Sequence, residues 1–348
     1  MHRPTTPRRS ALLGFAAAAL AAASGSTACG DRGGGPAPGA SGGPAAGAAL
    51  RIAVIPKGTT HEFWKAVHAG AVKASREHGV EIVWKGPIKE DDLKQQIDLV
   101  QSFTGQGVNG IVLAPLDENG LKGAVQGAVR SKVPVVVFDS ALAGQDHVSF
   151  VATDNVAAGR LAGERMVKIL NGKGRVVVLR YQEGSASTAM RERGFLEAAR
   201  AGGLEIVSDA QYGGATTESA MATSESLLLA QGAADGKVDG IFCPNESTTF
   251  GMLLALDKTG LARKVKLVGF DASDKLVKAL EDGRIDSLVV QDPFRMGYLA
   301  VGAMVRHLRG EKVETVIDTG AKLVDQASMN EPAVRQLLAP DLKEWLTP

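Results

Sequence analysis

Cysteine is almost missing from this chain. Only Cys29 and Cys243 occur in 348 residues, which excludes a disulfide framework and a cysteine metal cluster. An excess of either charge is missing too. Lys and Arg number 39 against 38 Asp and Glu, for a formal net charge of +1. A nucleic-acid surface needs a basic stripe to displace counterions, so no nucleic-acid partner is expected. Aromatic residues make up only 5%. Catalytic signatures are absent as well. There is no G-x-S-x-G elbow and no Walker A loop. His61-Glu62 begins like a zincin motif, but no second histidine stands at the required spacing. Gly105, Gly107 and Gly110 match G-x-G-x-x-G, yet they follow a helical stretch and precede an extended one. A dinucleotide loop needs the reverse order, so these glycines read as a helix cap and turn. No metal, no cofactor and no enzymatic activity are expected.

The amino terminus has the layout of an export signal. Arg3, Arg8 and Arg9 form a basic region, and Ala11 to Ala23 an apolar run too short to span a bilayer comfortably. Small residues then lead to Cys29. Ser26-Thr27-Ala28-Cys29 resembles a bacterial lipobox, with Ser26 where that pattern usually carries Leu. The resemblance implies a lipid anchor on Cys29; the alternative is ordinary cleavage near Ala28. Arg8-Arg9 before Leu12-Leu13 also resembles a twin-arginine signal, with Pro7 and Ser10 fitting poorly. Residues 30–49 are mostly Gly, Pro, Ala and Ser, a composition that cannot offset ordering entropy, and read as a flexible tether.

From Leu50 onward the pattern changes. Arg51-Ile52-Ala53-Val54-Ile55, ended by Pro56, is a buried-strand signature, and helical spacing runs from Glu62 to His78 with Gly79 as C-cap. Strands follow at Val80–Trp84, Gly110–Ala114 and Val133–Phe138. Helices are expected at Asp91–Thr104 and Asn119–Arg130. After a break near Thr153 the rhythm restarts. Strands are expected at Arg175–Leu179, Glu205–Ser208, Gly240–Cys243, Val265–Phe270 and Ile285–Val290. Alternation of this kind implies parallel sheets with helices on both faces, and the length suits two α/β lobes.

Polar residues recur where these strands end. Asp139 follows Val135–Phe138, Asn245 follows Ile241–Pro244, Asp271 follows Leu267–Phe270, and Gln291 follows Leu288–Val290. Ligands of open α/β sheets bind outside the carboxyl ends of the strands. Asp and Asn are also good N-caps, so one such residue is commonplace. Four, with Arg191 and Phe63-Trp64 also at element boundaries, point to a shared cleft.

The motifs His61-Glu62-Phe63-Trp64, Ile111–Pro115, Val137-Phe138-Asp139, Thr153-Asp154-Asn155 with Gly159, Met190–Phe195, Phe242–Asn245, Val268–Asp271 and Gln291-Asp292-Pro293 occur in that order. Together they resemble the ribose-binding-protein family, the periplasmic sugar-binding components of ABC importers, from about Ile52 to about Val324. The resemblance implies two Rossmann-like lobes joined by three hinge crossovers. One lobe would hold 50–152 plus 292–317, the other 153–291 plus 318–330. Residues 331–348 would be a helical tail, and 1–29 the leader.

The same resemblance implies roles. Phe63 and Trp64 would stack on a sugar ring, with core packing as the alternative. Asp139 and Asp271 would accept from hydroxyls, Arg191 would donate, and Asn245 and Gln291 can do both. His61, Ala114 and Ser140 depart from the ribose pattern, which has Asn, Asn and Arg there. His61 and Ser140 are kept as site residues, with His61 partly replacing the lost donors, and the ligand need not be ribose. The expected function is capture of a small polar solute and delivery to an ABC permease, by a monomer tethered outside the membrane. Sensing for a chemoreceptor or kinase is the alternative; a repressor-type effector domain would need a helix-turn-helix where the leader stands.

Overall fold

A computed structural model describes residues 49–346. The expected leader at 1–29 with Cys29, and residues 30–48 of the expected tether, lie outside the described residues. The first stretch runs β1 (Arg51–Ile55), α1 (Glu62–His78), β2 (Glu81–Trp84), α2 (Leu93–Gly105), β3 (Gly110–Leu113), α3 (Lys122–Arg130), β4 (Val135–Phe138) and β5 (Ser149–Ala152). The second runs α4 (Asn155–Ile169), β6 (Arg175–Arg180), α5 (Ala186–Ala201), β7 (Glu205–Tyr212), α6 (Thr217–Ala230), β8 (Gly240–Phe242), α7 (Glu246–Lys258), β9 (Lys266–Phe270), α8 (Asp274–Glu281) and β10 (Ser287–Gln291). The chain ends with α9 (Pro293–Leu308), β11 (Val316–Asp318), β12 (Ala321–Val324), α10 (Pro332–Leu338) and α11 (Lys343–Leu346).

Two six-stranded sheets result, ordered β11-β5-β4-β3-β1-β2 and β12-β10-β9-β8-β6-β7. The orders correspond strand for strand, so the fold is one topology built twice. Strands such as Val135–Phe138 are buried along their whole length because helices cover both faces of each sheet. The sheets are not wholly parallel: β12 runs antiparallel to β10. It enters this sheet directly from β11 of the other one, two residues earlier. Strand β7 extends to Tyr212 rather than Ser208, because it pairs with β6 through two register shifts. Helix α3 begins at Lys122, three residues later than the sequence pattern suggests.

The chain passes between the sheets three times: after β5, after β10, and between β11 and β12. Helix α9 follows β10 but packs in the core of the first sheet through Met296, Ala300 and Met304. The crossings are stitched side by side. Thr319 N–H donates to Ala152 O at 3.0 Å, and Asp154 N–H donates to Asp318 Oδ1 at 3.1 Å.

Candidate functional site

β4 and β9 hold corresponding places in their sheets, and each is followed by an aspartate with positive φ, 60° at Asp139 and 67° at Asp271. Asp tolerates this left-handed backbone better than most side chains. Such conformations persist where the surroundings hold them. Here each N–H continues the ladder, Asp139 to Val151 O at 3.0 Å and Asp271 to Val289 O at 2.8 Å. The two carboxylates thus reach one interlobe cavity from opposite sides.

The first lobe's wall is built on paired charges. Lys57, just past β1, places Nζ 3.1 Å from Asp139 Oδ2, with both side chains buried. Glu90, in the loop after β2, is buried under three donors: His61 Nδ1 at 2.6 Å, Trp64 Nε1 at 2.6 Å and the Tyr181 hydroxyl at 2.7 Å. Burial alone pulls the His61 imidazole down, but attraction to Glu90 outweighs it and holds the group up at about 9. Burial pushes the Glu90 carboxyl up, and His61 and Lys57 reverse this, holding it well below the usual range. Phe63 and Trp64 both line the cavity, edge to face with centroids 4.9 Å apart, and both also belong to the first lobe's core.

The second lobe's wall centres on Arg191 of α5. A Cβ added at Gly159 of α4 would sit 2.0 Å from Arg191 O, so only glycine lets the two helices approach closely enough to seat this residue. Arg191 Nε donates to Asn155 Oδ1 at 2.7 Å and Nη1 to Pro244 O at 3.0 Å; the guanidinium lies 4.0 Å from the Phe270 ring centroid. Nη2 has no partner among the described residues. Gln291 Nε2 donates to Asp271 Oδ1 at 2.7 Å, while its Oε1 is also unpartnered. Burial raises the Asp271 carboxyl, and Arg191 works against that. Asn245 lines the cavity but also caps α7: its Oδ1 accepts from Thr248 N–H at 3.3 Å, and Nδ2 donates to Ser247 Oγ at 3.2 Å.

The lobes touch directly around this cavity. Lys57 Nζ donates to Ser187 Oγ at 3.0 Å, and Ser187 N–H donates to Ser140 Oγ at 3.1 Å. Across the cleft, Glu246 accepts from the first N–H groups of α1, Glu62 at 3.4 Å and Phe63 at 3.2 Å. His61, the N-cap of α1, makes no side-chain cap bond, so a carboxylate from the opposite lobe fills that role. Burial pushes the Glu246 carboxyl up to about 7. The space left is about 30 Å³, room for about two waters.

Eight of the nine expected residues line this cavity: His61, Phe63, Trp64, Asp139, Arg191, Asn245, Asp271 and Gln291. Ser140 does not; it stands behind the wall as an acceptor for the other lobe. Ala114 is packed in the first lobe's core. Sequence reasoning missed Lys57, Glu90, Tyr181 and Glu246. Tyr181 directly follows β6, so the strand-end rule applied elsewhere would have found it. Tyr212, at the end of β7, does not line the cavity; the Arg180 guanidinium lies over its ring, 4.8 Å from the centroid.

A family model described as the periplasmic binding protein domain matches residues 52–312. The chain belongs to this periplasmic binding protein family. The family is one of binding proteins rather than enzymes. The ribose import binding protein of Haemophilus influenzae is 28% identical to this periplasmic binding protein over 275 residues, 79% of this chain and 91% of that one. A solute-binding protein of an ABC transporter from Agrobacterium vitis, solved with D-fucose bound, is 33% identical with a TM-score of 0.79, covering 83% of this chain and 100% of that one. A carbohydrate transporter solute-binding protein from Agrobacterium radiobacter, in complex with D-arabinose, is 33% identical with a TM-score of 0.79, covering 84% and 99%. Among the described residues, no helix is long and apolar enough to cross a membrane.

Proposed function

We propose that this protein is the substrate-binding component of an ABC-type importer, closing two lobes on a monosaccharide or similar polyol and delivering it to a membrane permease. The carrying observation is the pair left over when the walls are complete: an unpartnered donor, Arg191 Nη2, and an unpartnered acceptor, Gln291 Oε1, both on buried side chains of one cavity. A hydroxyl both donates and accepts, so it matches this pair as neither a simple cation nor a simple anion does. Asp139 and Asp271 add charged acceptors, and Phe63 and Trp64 offer apolar ring faces. The D-fucose and D-arabinose bound by the two similar Agrobacterium proteins support the same class. In this reading, 50–152 plus 292–317 and 153–291 plus 318–330 are the moving bodies, and the three crossings are the hinge. Cys29 carries the lipid that tethers the protein outside the membrane.

Titration with D-ribose, D-allose, D-fucose and D-arabinose tests the ligand class. One of them raises the melting temperature in proportion to the logarithm of its concentration. If amino acids or nucleotides raise it and no sugar or polyol does, the reading is wrong. For the tether, Cys29→Ser moves the protein from the membrane fraction to the soluble fraction; unchanged fractionation overturns it.

A further inference from the structure

A second cavity, of about 140 Å³, adjoins the interlobe one. A cavity of about 150 Å³ accommodates a benzene ring. Phe63, Asp271 and Gln291 line both cavities, so the two adjoin along these side chains. The roof comes from the C-terminal segment through Leu337, Pro340 and Leu342.

That roof is attached to both lobes. Val334 and Leu338 of α10 are buried in the second lobe's core. Past the break, Arg76 Nη1 of α1 donates to Glu344 O at 3.1 Å. The Trp345 ring lies 5.3 Å from the Arg76 guanidinium and 6.4 Å from the Phe294 ring, on the first lobe. The compartment is therefore lined from both lobes, as the interlobe cavity is.

Its chemistry differs from that of its neighbour. Phe63, Ala66, Pro293 and the roof leucines give it apolar surface beside polar surface of similar extent, and its charged lining residues are Glu62, Asp271 and Asp274. No Lys, Arg or His lines it, so a phosphate or carboxylate would be repelled and buried without a partner. At the shared wall stands Gln291, buried, with Oε1 unpartnered among the described residues.

We propose that this cavity is a second ligand compartment, which takes an uncharged ring attached to the sugar held in the first, so that the protein binds a glycoside or disaccharide and not only a free monosaccharide. The inference rests on the sugar reading above.

Calorimetry on the full chain tests it, with each of the four free sugars, its phenyl glycoside and its 1-phosphate. For the sugar that binds, the phenyl glycoside binds at least as tightly as the free form, and the phosphate binds more weakly than either. Leu337→Trp fills the compartment from the roof and Ala272→Phe from the segment after β9. Each weakens the phenyl glycoside by about tenfold and leaves the free sugar within about threefold. The compartment is refuted if free sugars bind while no glycoside does, or if both variants weaken the two ligands equally. If neither sugars nor glycosides bind, the sugar reading itself fails and the compartment with it.

Discussion

The two walls of the interlobe cavity are built from similar side chains and behave differently. On the first lobe, charges are paired with one another: Lys57 with Asp139, and His61 with Glu90, which also accepts from Trp64. On the second lobe, Arg191 and Gln291 each keep one polar atom unpartnered among the described residues. The charges of the first wall are therefore already paired, with Tyr181 and Ser187 of the other lobe adding bonds to them, and the second wall holds the capacity that a ligand completes. The contrast teaches where mutations should register. Changes to the first wall should appear as lost stability, and changes to the second as lost affinity.

The largest expected effect comes from Lys57→Met. It leaves Asp139 buried without its cation, and removing one partner of a buried pair costs about 3–5 kcal/mol. Thermal denaturation should show a fall on the order of 10 °C, at about 2–4 °C per kcal/mol for a protein of this size. A fall of only a degree or two would mean that the first wall is not self-supporting.

Arg191→Lys should come next, and in a different measurement. Lysine keeps a cation beside Asp271 but loses the planar fork of donors. Sugar affinity should drop roughly 100-fold, the scale of one or two charge-assisted hydrogen bonds, while the melting temperature moves little. If the melting temperature falls as far as in Lys57→Met, the two walls do not divide the work as argued.

The smallest effect, and the sharpest test of the first wall, is the pH dependence of His61→Asn. The folded protein holds the imidazole at about 9 against an ordinary 6.5, so its stabilisation is complete below 6.5 and lost as pH rises through 9. Glu90 is held below its ordinary 4.5, so its contribution is complete above that and lost as pH falls further. Between about pH 4.5 and 6.5 the pair is fully formed. There the variant should be less stable than the natural protein by about 1–2 kcal/mol, and the gap should close by pH 10. A gap that does not change with pH would mean that the pair is not ionic.

Much of this was legible along the chain, because it depends on short-range pattern. Apolar runs broken at regular intervals determined the βα alternation and hence the two α/β lobes. The rule that ligands gather at strand carboxyl ends singled out Asp139, Asn245, Asp271 and Gln291, all of which line the cavity. The same rule covers Tyr181 and, one step removed, Lys57. Glu90 was not legible: it sits in a loop with no local signal, and its importance comes from His61, Trp64 and Tyr181 converging on it. Glu246 reads locally as an acidic residue in the first turn of its own helix, and only the closed arrangement turns it toward the start of α1 in the other lobe. Ser140 looked like a ligand contact and is an interlobe one. By itself the sequence determined which residues stand at strand ends, because periodicity and chain order place them. Which of those polar atoms pair with each other and which stay available for a ligand was decided only by the tertiary structure, because hydrogen bonding depends on distances between residues far apart in the chain.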